Sequence, residues 1–114
     1  MEENTHNPLK KKICGLLQDD RVEEVNAILA GIDGFSLAAA NLRSANLQGM
    51  HVEGIDFSNA YLRSANLKGL DMRSCRLEGA SLHGAKIAGT YFPDELMPEE
   101  ILLSVTRGTR LRYR

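Results

Sequence analysis

From Leu37 onward an apolar residue returns every five positions: Leu37, Leu42, Leu47, Val52, Phe57, Leu62, Leu67, Met72, Leu77, Leu82, Ile87 and Phe92. The residue two before each of these is apolar too, with Thr90 the exception, and half of that set is Ala. The residue two after is Gly or Ser in nine of the twelve units, with Ala39, Asn59 and Asp94 departing. A period of five fits neither a helix at 3.6 nor a strand at 2.0. It fits a chain that stays extended for about three residues, buries two alternate side chains and then turns a corner. Gly, Ser and Asn suit the corner because they accept positive φ or bond the local backbone.

A second period of twenty is nested in the first. Residues 40–49 read ANLRSANLQG and residues 60–69 read AYLRSANLKG. Two inward columns carry large residues, Phe35/Ile55/Cys75 and Met50/Leu70/Thr90, while Ala40/Ala60/Ala80 and Ala45/Ala65/Ala85 stay small. A narrow square interior that cannot hold four large side chains per level requires this alternation. Four fives then close one coil, which predicts an all-β solenoid of about three coils over residues 35–94.

The A-[N/D/S]-L-x-[S/G] pattern resembles the pentapeptide-repeat proteins. The resemblance implies a right-handed quadrilateral β-helix. Met50, Ile55 and Leu70 depart from the family's small residue, and Arg76 and Lys86 from its Asx or Ser.

A solenoid end exposes apolar interior and unpaired backbone, so both ends need covering. Residues 1–34 predict a helical cap. Asn7-Pro8 opens a helix with Leu9, Ile13, Leu16 and Leu17 on one face. Asp20 with Glu23 reads as a capping box for a second helix carrying Val22, Val25, Ile28 and Leu29, ending before Gly31. Residues 95–114 predict a short helix from Pro98 with Ile101, Leu102 and Val105 inward, stopping near Gly108, and then a basic tail. This tail is similar to those that close small bacterial members of the family. Longer members dimerise through their C termini, so a homodimer through this helix is a further expectation. The whole is one structural domain.

Composition narrows the functions. The chain has 114 residues, 43% hydrophobic but only 5% aromatic, so Leu, Ala and Ile must fill the core. Net charge is −1, unevenly spread: residues 1–34 hold four basic and seven acidic groups, and the last eight residues hold four Arg and no acid. Cys14 and Cys75 match no disulfide framework, and no apolar run approaches membrane-spanning length, so a cytoplasmic protein without membrane contact is expected.

No catalytic constellation emerges. His6, His51 and His83 are scattered, and no spacing gathers three metal ligands. Cys75 falls at an inward position, where a thiol is a small inert hydrophobe. The glycines mark corners and form no Walker or dinucleotide motif. A non-enzymatic protein without metal or cofactor is expected.

Surface recognition is the better prospect. On the side built from residues 40–44, 60–64 and 80–84, Asn41, Tyr61 and Ser81 stack beside Arg43, Arg63 and His83 at about 4.8 Å per level. The next side carries Asn46, Asn66 and Lys86 beside Gln48, Lys68 and Ala88. Neither holds an acid. The five acids of the repeat, Glu53, Asp56, Asp71, Glu78 and Asp94, fall elsewhere. Stacked Arg side chains repel unless a partner offsets them, and Tyr and Arg are favoured in binding hot spots. The expected docking surface for an acidic protein partner is Arg43, Tyr61, Arg63 and Lys68. Secondary candidates are Asn46, Asn66, Lys86 and the tail residues Arg110, Arg112 and Arg114. The bland alternative is a chance distribution with an Asn ladder bonding along its own column.

The leading reading is therefore an interaction or scaffold module. A DNA mimic that modulates a topoisomerase, as some long acidic family members are, is the rival, but residues 35–94 carry net +1 over only three coils. Nucleic-acid binding through the basic sides and tail would rest on four or five phosphate contacts and ranks lower. An ice-binding surface needs arrays of outward Thr, and the only threonines are Thr5, Thr90, Thr106 and Thr109.

Overall fold

The computed structural model describes residues 7–114; the six residues before them, with Thr5, His6 and the start of the expected N-terminal cap, lie outside the described residues. Helix α1 spans Pro8–Gln18. The Asn7 side chain accepts from the amides of Leu9 and Lys10, and Pro8 sits where a missing N–H costs nothing.

Asp20 does not form the expected capping box. It takes a left-handed conformation with φ 64 just after α1. The Asp20 amide donates to Leu17 O at 3.3 Å and the Arg21 amide to Leu16 O at 2.9 Å. That is a Schellman closure with Asp where Gly is usual, so the residue ends α1 and does not start the next helix. Helix α2 (Val22–Leu29) begins from Arg21 without a side-chain cap, and the Arg21 guanidinium reaches Glu24 instead. Ile13, Leu16, Leu17, Val25 and Leu29 join one core with the repeat.

Pairing along the repeat steps by twenty throughout. Strand β1 (Phe35–Ser36) runs parallel to β2 (Ile55–Asp56), with Phe35 opposite Ile55. Single-residue parallel bridges join Asn41 to Tyr61, Tyr61 to Ser81, Asn46 to Asn66, Asn66 to Lys86, Asp56 to Arg76 and Asp71 to Tyr91. This ladder makes the chain a β-solenoid. Its strands are two residues long because a corner follows so soon.

Each corner is a turn that the inward residues close. The Ala40 amide donates to Leu37 O and the Ala60 amide to Phe57 O, at 3.1 and 3.0 Å. The residue before the closing amide is left-handed: Ala39, Ser44, Asn59 and Ser64 lie at φ 60–61, and Gly fills most other corners. Ser74 departs, since its φ is not positive; its hydroxyl accepts the Gly54 amide at 3.1 Å, a bond that backbone carbonyls accept at other corners.

The interior follows the large–small pattern. Ten of the twelve unit centres, Leu37 through Leu82, are buried, while Ile87 and Phe92 are partly buried. All six column alanines are buried, as are Met50, Ile55, Leu70 and Cys75. Thr90, the polar member of its column, donates its hydroxyl to Leu67 O at 2.6 Å.

Helix α3 (Pro98–Arg107) presents only part of the expected stripe: Ile101 and Val105 pack partly buried against the core, and Leu102 does not. Leu102 is 63% exposed, and the fully buried residue is Ser104. Amides of the last repeats need acceptors: Leu82 N–H finds Ser104 Oγ at 2.8 Å and Gly84 N–H finds Val105 O at 2.9 Å. Supplying those acceptors rotates Leu102 outward.

After Gly108 (φ 79) the chain returns as an antiparallel segment, with Ser81 opposite Arg110. Leu111 N–H donates to Ala80 O at 2.8 Å and Gly79 N–H to Leu111 O at 2.7 Å, burying the Leu111 side chain. The Tyr113 hydroxyl accepts the Leu77 amide at 2.9 Å. The segment read from sequence as a basic tail is thus pinned along the last coil, whose open backbone requires a partner.

Candidate functional site

The ladder sets the geometry of the basic side. Tyr61 lies between Asn41 and Ser81 and is 43% exposed. Two residues along, Arg43 and Arg63 are held on neighbouring levels by the bond from Ser44 N–H to Arg63 O at 2.8 Å. Gln18 at the end of α1 donates to Arg43 O at 3.1 Å and to Asn41 O at 3.4 Å, fixing the lower edge.

Arg110 completes the group from the returning segment. Its Nη1 donates to Gly79 O at 3.0 Å, its Nη2 to the Tyr61 hydroxyl at 3.4 Å, and Cζ stands 5.6 Å from the ring centroid. The cation–π contact and two hydrogen bonds orient this guanidinium. Arg43, Tyr61, Arg63, Ser81, Gly108 and Arg110 together line a shallow notch of about 270 Å³.

None of these three arginines has a carboxylate partner among the described residues. The ion pairs there are Arg21–Glu24, Arg73–Asp71, Arg76–Glu78 and Arg112–Glu100. Lys10 and Lys11 line a second depression with Ala38–Asn41, and the Lys10 ammonium donates to Ala38 O, so positive charge continues past the lower end.

The remaining sequence candidates divide. Asn46, Asn66 and Lys86 share the adjoining ladder, with Lys68 two residues past Asn66, and none of the four lines the notch. There Asn46 and Asn66 each accept an amide two residues on, from Gln48 at 3.0 Å and Lys68 at 3.1 Å. Asn66 Nδ2 turns to Gln48 Oε1 at 3.1 Å, so these side chains tie to Gln48 and to their own turns and do not bond along their column. The adjoining side is acid-free only within the repeat. Helix α2 and the turn before it place Asp20, Glu23 and Glu24 in one depression with Asn46 and Gln48. Arg112 faces Glu100, and the Arg114 amide donates to Glu95 O at 3.1 Å; neither side chain lines the notch.

Arg110 ranked second from sequence because its position depends on the antiparallel return, which a lone RGTRLRYR segment does not announce. Gly108 enters the notch for the same reason, whereas Ser81 is placed on this side by the repeat itself. Leu111, an apolar residue between arginines, was the available signal.

The other titratable groups carry no comparable cluster. Burial pushes the Cys75 thiol up to about 12. His83 packs against Gly108, and the His51 amide donates to Asn26 Oδ1 at 2.8 Å. No group of three or more His, Cys, Asp or Glu among the described residues is placed to hold a metal ion. No helix among the described residues is long and apolar enough to cross a membrane.

A β-solenoid built from fives defines a class of structural and interaction modules. The family model for pentapeptide repeats matches residues 40–79 in eight copies, so this stretch of the chain carries pentapeptide repeats. Such repeats form β-helical solenoids, and their proteins are in general non-enzymatic interaction modules. No curated protein and no solved structure matches the chain.

Proposed function

We propose that this protein is a non-enzymatic docking module that presents the side bearing Arg43, Tyr61 and Arg63 to an acidic protein partner. The observation that carries the reading is that Arg43, Arg63 and Arg110 line one notch with Tyr61, with no carboxylate paired to any of them among the described residues. Like charges held together on a rigid ladder raise the local potential, and an anionic partner relieves it. Lys68, Lys86, Asn46 and Asn66 extend the surface, and the acids of α2 limit it on that side.

The proposed frame is a right-handed, four-sided β-helix of about three coils over residues 35–94, between helical caps at 1–34 and 95–114. The twenty-residue ladder supports the coil length, and the family supports the hand. Two free cysteines favour a reducing compartment such as the cytoplasm. Self-association through α3 is a secondary proposal, supported by Leu102 and Leu103 at 63% and 39% exposure. Sedimentation equilibrium of wild type against Leu102→Lys tests it.

The docking reading is tested by affinity capture at moderate salt, wild type against a folded Arg43→Glu/Arg63→Glu/Lys68→Glu variant. A protein bound directly by the wild type and released by the triple reversal is the expected result. Equal retention by both baits would sink the reading and move attention to the helical ends.

A further inference from the structure

We propose that the notch among Arg43, Arg63 and Arg110 is a receptor for a phosphate monoester carried on a side chain of the protein partner. This inference rests on the docking reading above and names the chemistry that the surface recognises.

Charge is the first argument. Three arginines line one depression of about 270 Å³, and no carboxylate among the described residues pairs with any of them. A carboxylate brings one negative charge and is satisfied by a single arginine fork, leaving two cations unbalanced. A phosphate monoester brings about −1.5 to −2 and three acceptor oxygens, which suits three donors approaching from different elements.

Geometry is the second. Arg43 and Arg63 approach from adjacent levels of one ladder, and Arg110 approaches across it from an antiparallel segment. Arg110 is already oriented by Gly79 O and the Tyr61 hydroxyl, which take two of its five N–H donors and leave the rest for a ligand. A guanidinium held in place before binding loses less side-chain entropy on binding. Ser81 lines the same notch and brings a hydroxyl as a further donor type.

Extent is the third. A polynucleotide needs a track of cations that spans several phosphates. Here Arg112 is paired with Glu100, and the adjoining side runs into Asp20, Glu23 and Glu24. One concentrated positive notch fits one dianion, and Lys10 and Lys11 beyond Asn41 suit acidic residues flanking it.

The test is a titration of the isotopically labelled full chain, followed by amide NMR. The probes are a short Ala/Gly peptide with one phosphoserine, the same peptide with Ser, the same with Glu, inorganic phosphate, and an oligothymidylate. The phosphopeptide is expected to shift the amides of residues 61–64 and 109–111, and to bind about tenfold or more tighter than the Glu peptide. Arg43→Gln and Arg63→Gln should each weaken it about tenfold, and both side chains are exposed, so the fold survives these changes. Inorganic phosphate should shift the same amides more weakly.

Equal binding of the Glu peptide, shifts confined elsewhere, no shift at about 10 mM phosphopeptide, or tighter binding of oligothymidylate would each overturn the inference. A partner captured in a charge-dependent way by the wild type, with no response to phosphate, would overturn this inference and leave the docking reading standing.

Discussion

The side chain of Asn59 occupies the space above Gly79, so that a Cβ placed on Gly79 would stand 2.0 Å from Asn59 Oδ1. Both residues are left-handed corners one coil apart, at φ 60 and φ 82. At Gly69 the same added carbon meets nothing within 4 Å, although φ is 72. Gly79→Ala should therefore cost more than Gly69→Ala, which carries only the left-handed penalty of about 1–2 kcal/mol. In an Asn59→Gly background the two substitutions should cost the same. Urea denaturation of the five variants and the wild type measures this coupling, and additive losses would show that Asn59 is not the obstacle.

The return of residues 109–114 should contribute to stability as well as to the notch. Leu111 is buried against the last coil, and its truncation to Ala should cost about 2–5 kcal/mol. Tyr113→Phe leaves the Leu77 amide without its acceptor and should cost about 1–3 kcal/mol. Arg112→Ala should be nearly silent, because the Arg112 side chain is 80% exposed in its pair with Glu100. Thermal unfolding of the three variants would reveal an unpinned segment if Leu111→Ala were as silent as Arg112→Ala.

Most of the solenoid was legible because its signal is local and repeated. Leu42, Leu62 and Leu82 announce one inward column, and each repetition tests the previous one. The ends carry no such redundancy. Asp20 and Glu23 satisfy a capping pattern, yet Asp20 closes α1, since a Schellman turn and a capping box use the same residues at nearly the same place. Leu102 fits a helical stripe, but the amides of Leu82 and Gly84 decide which face of α3 turns inward. The notch was legible only in half: Arg43, Tyr61 and Arg63 stack through the repeat, whereas Arg110 arrives by a chain reversal.

Asp71 and Arg73 form a second polar feature outside the notch. Arg73 donates to Asp71 through Nε at 2.9 Å, Nη2 at 2.8 Å and its backbone amide at 3.2 Å, and Cζ stands 5.1 Å from the Tyr91 ring centroid. Hydrogen bonds from the Arg73 side chain and amide hold the Asp71 carboxyl down at about 2. A folded value below the unfolded 3.8 means that its stabilising effect is present above pH 3.8 and is lost as pH falls through about 2. Carboxyl NMR titration should place Asp71 low in the wild type and nearer the ordinary Asp range in Arg73→Ala. An unchanged value would show that Arg73 is not the cause. The pair lies on the surface, so the same variant should barely change the denaturation midpoint.

The two thiols should part company in a labelling experiment. Cys75 lies inside its column at 4% exposure, and Sγ donates to Val52 O at 3.1 Å. Burial pushes its pKa up to about 12, so at pH 8 the thiolate is scarce and the sulfur out of reach. Cys14 is only partly buried, and burial raises its thiol while Lys10 opposes the rise. A small alkylating reagent at pH 8 should modify Cys14 slowly in the folded protein and reach Cys75 only through unfolding. The Cys75 rate should then climb with urea in step with the unfolded population, while the Cys14 rate begins higher and responds less. Rapid modification of Cys75 without denaturant would show that the coil around it opens locally, and the rigid ladder under Tyr61 would lose its physical basis.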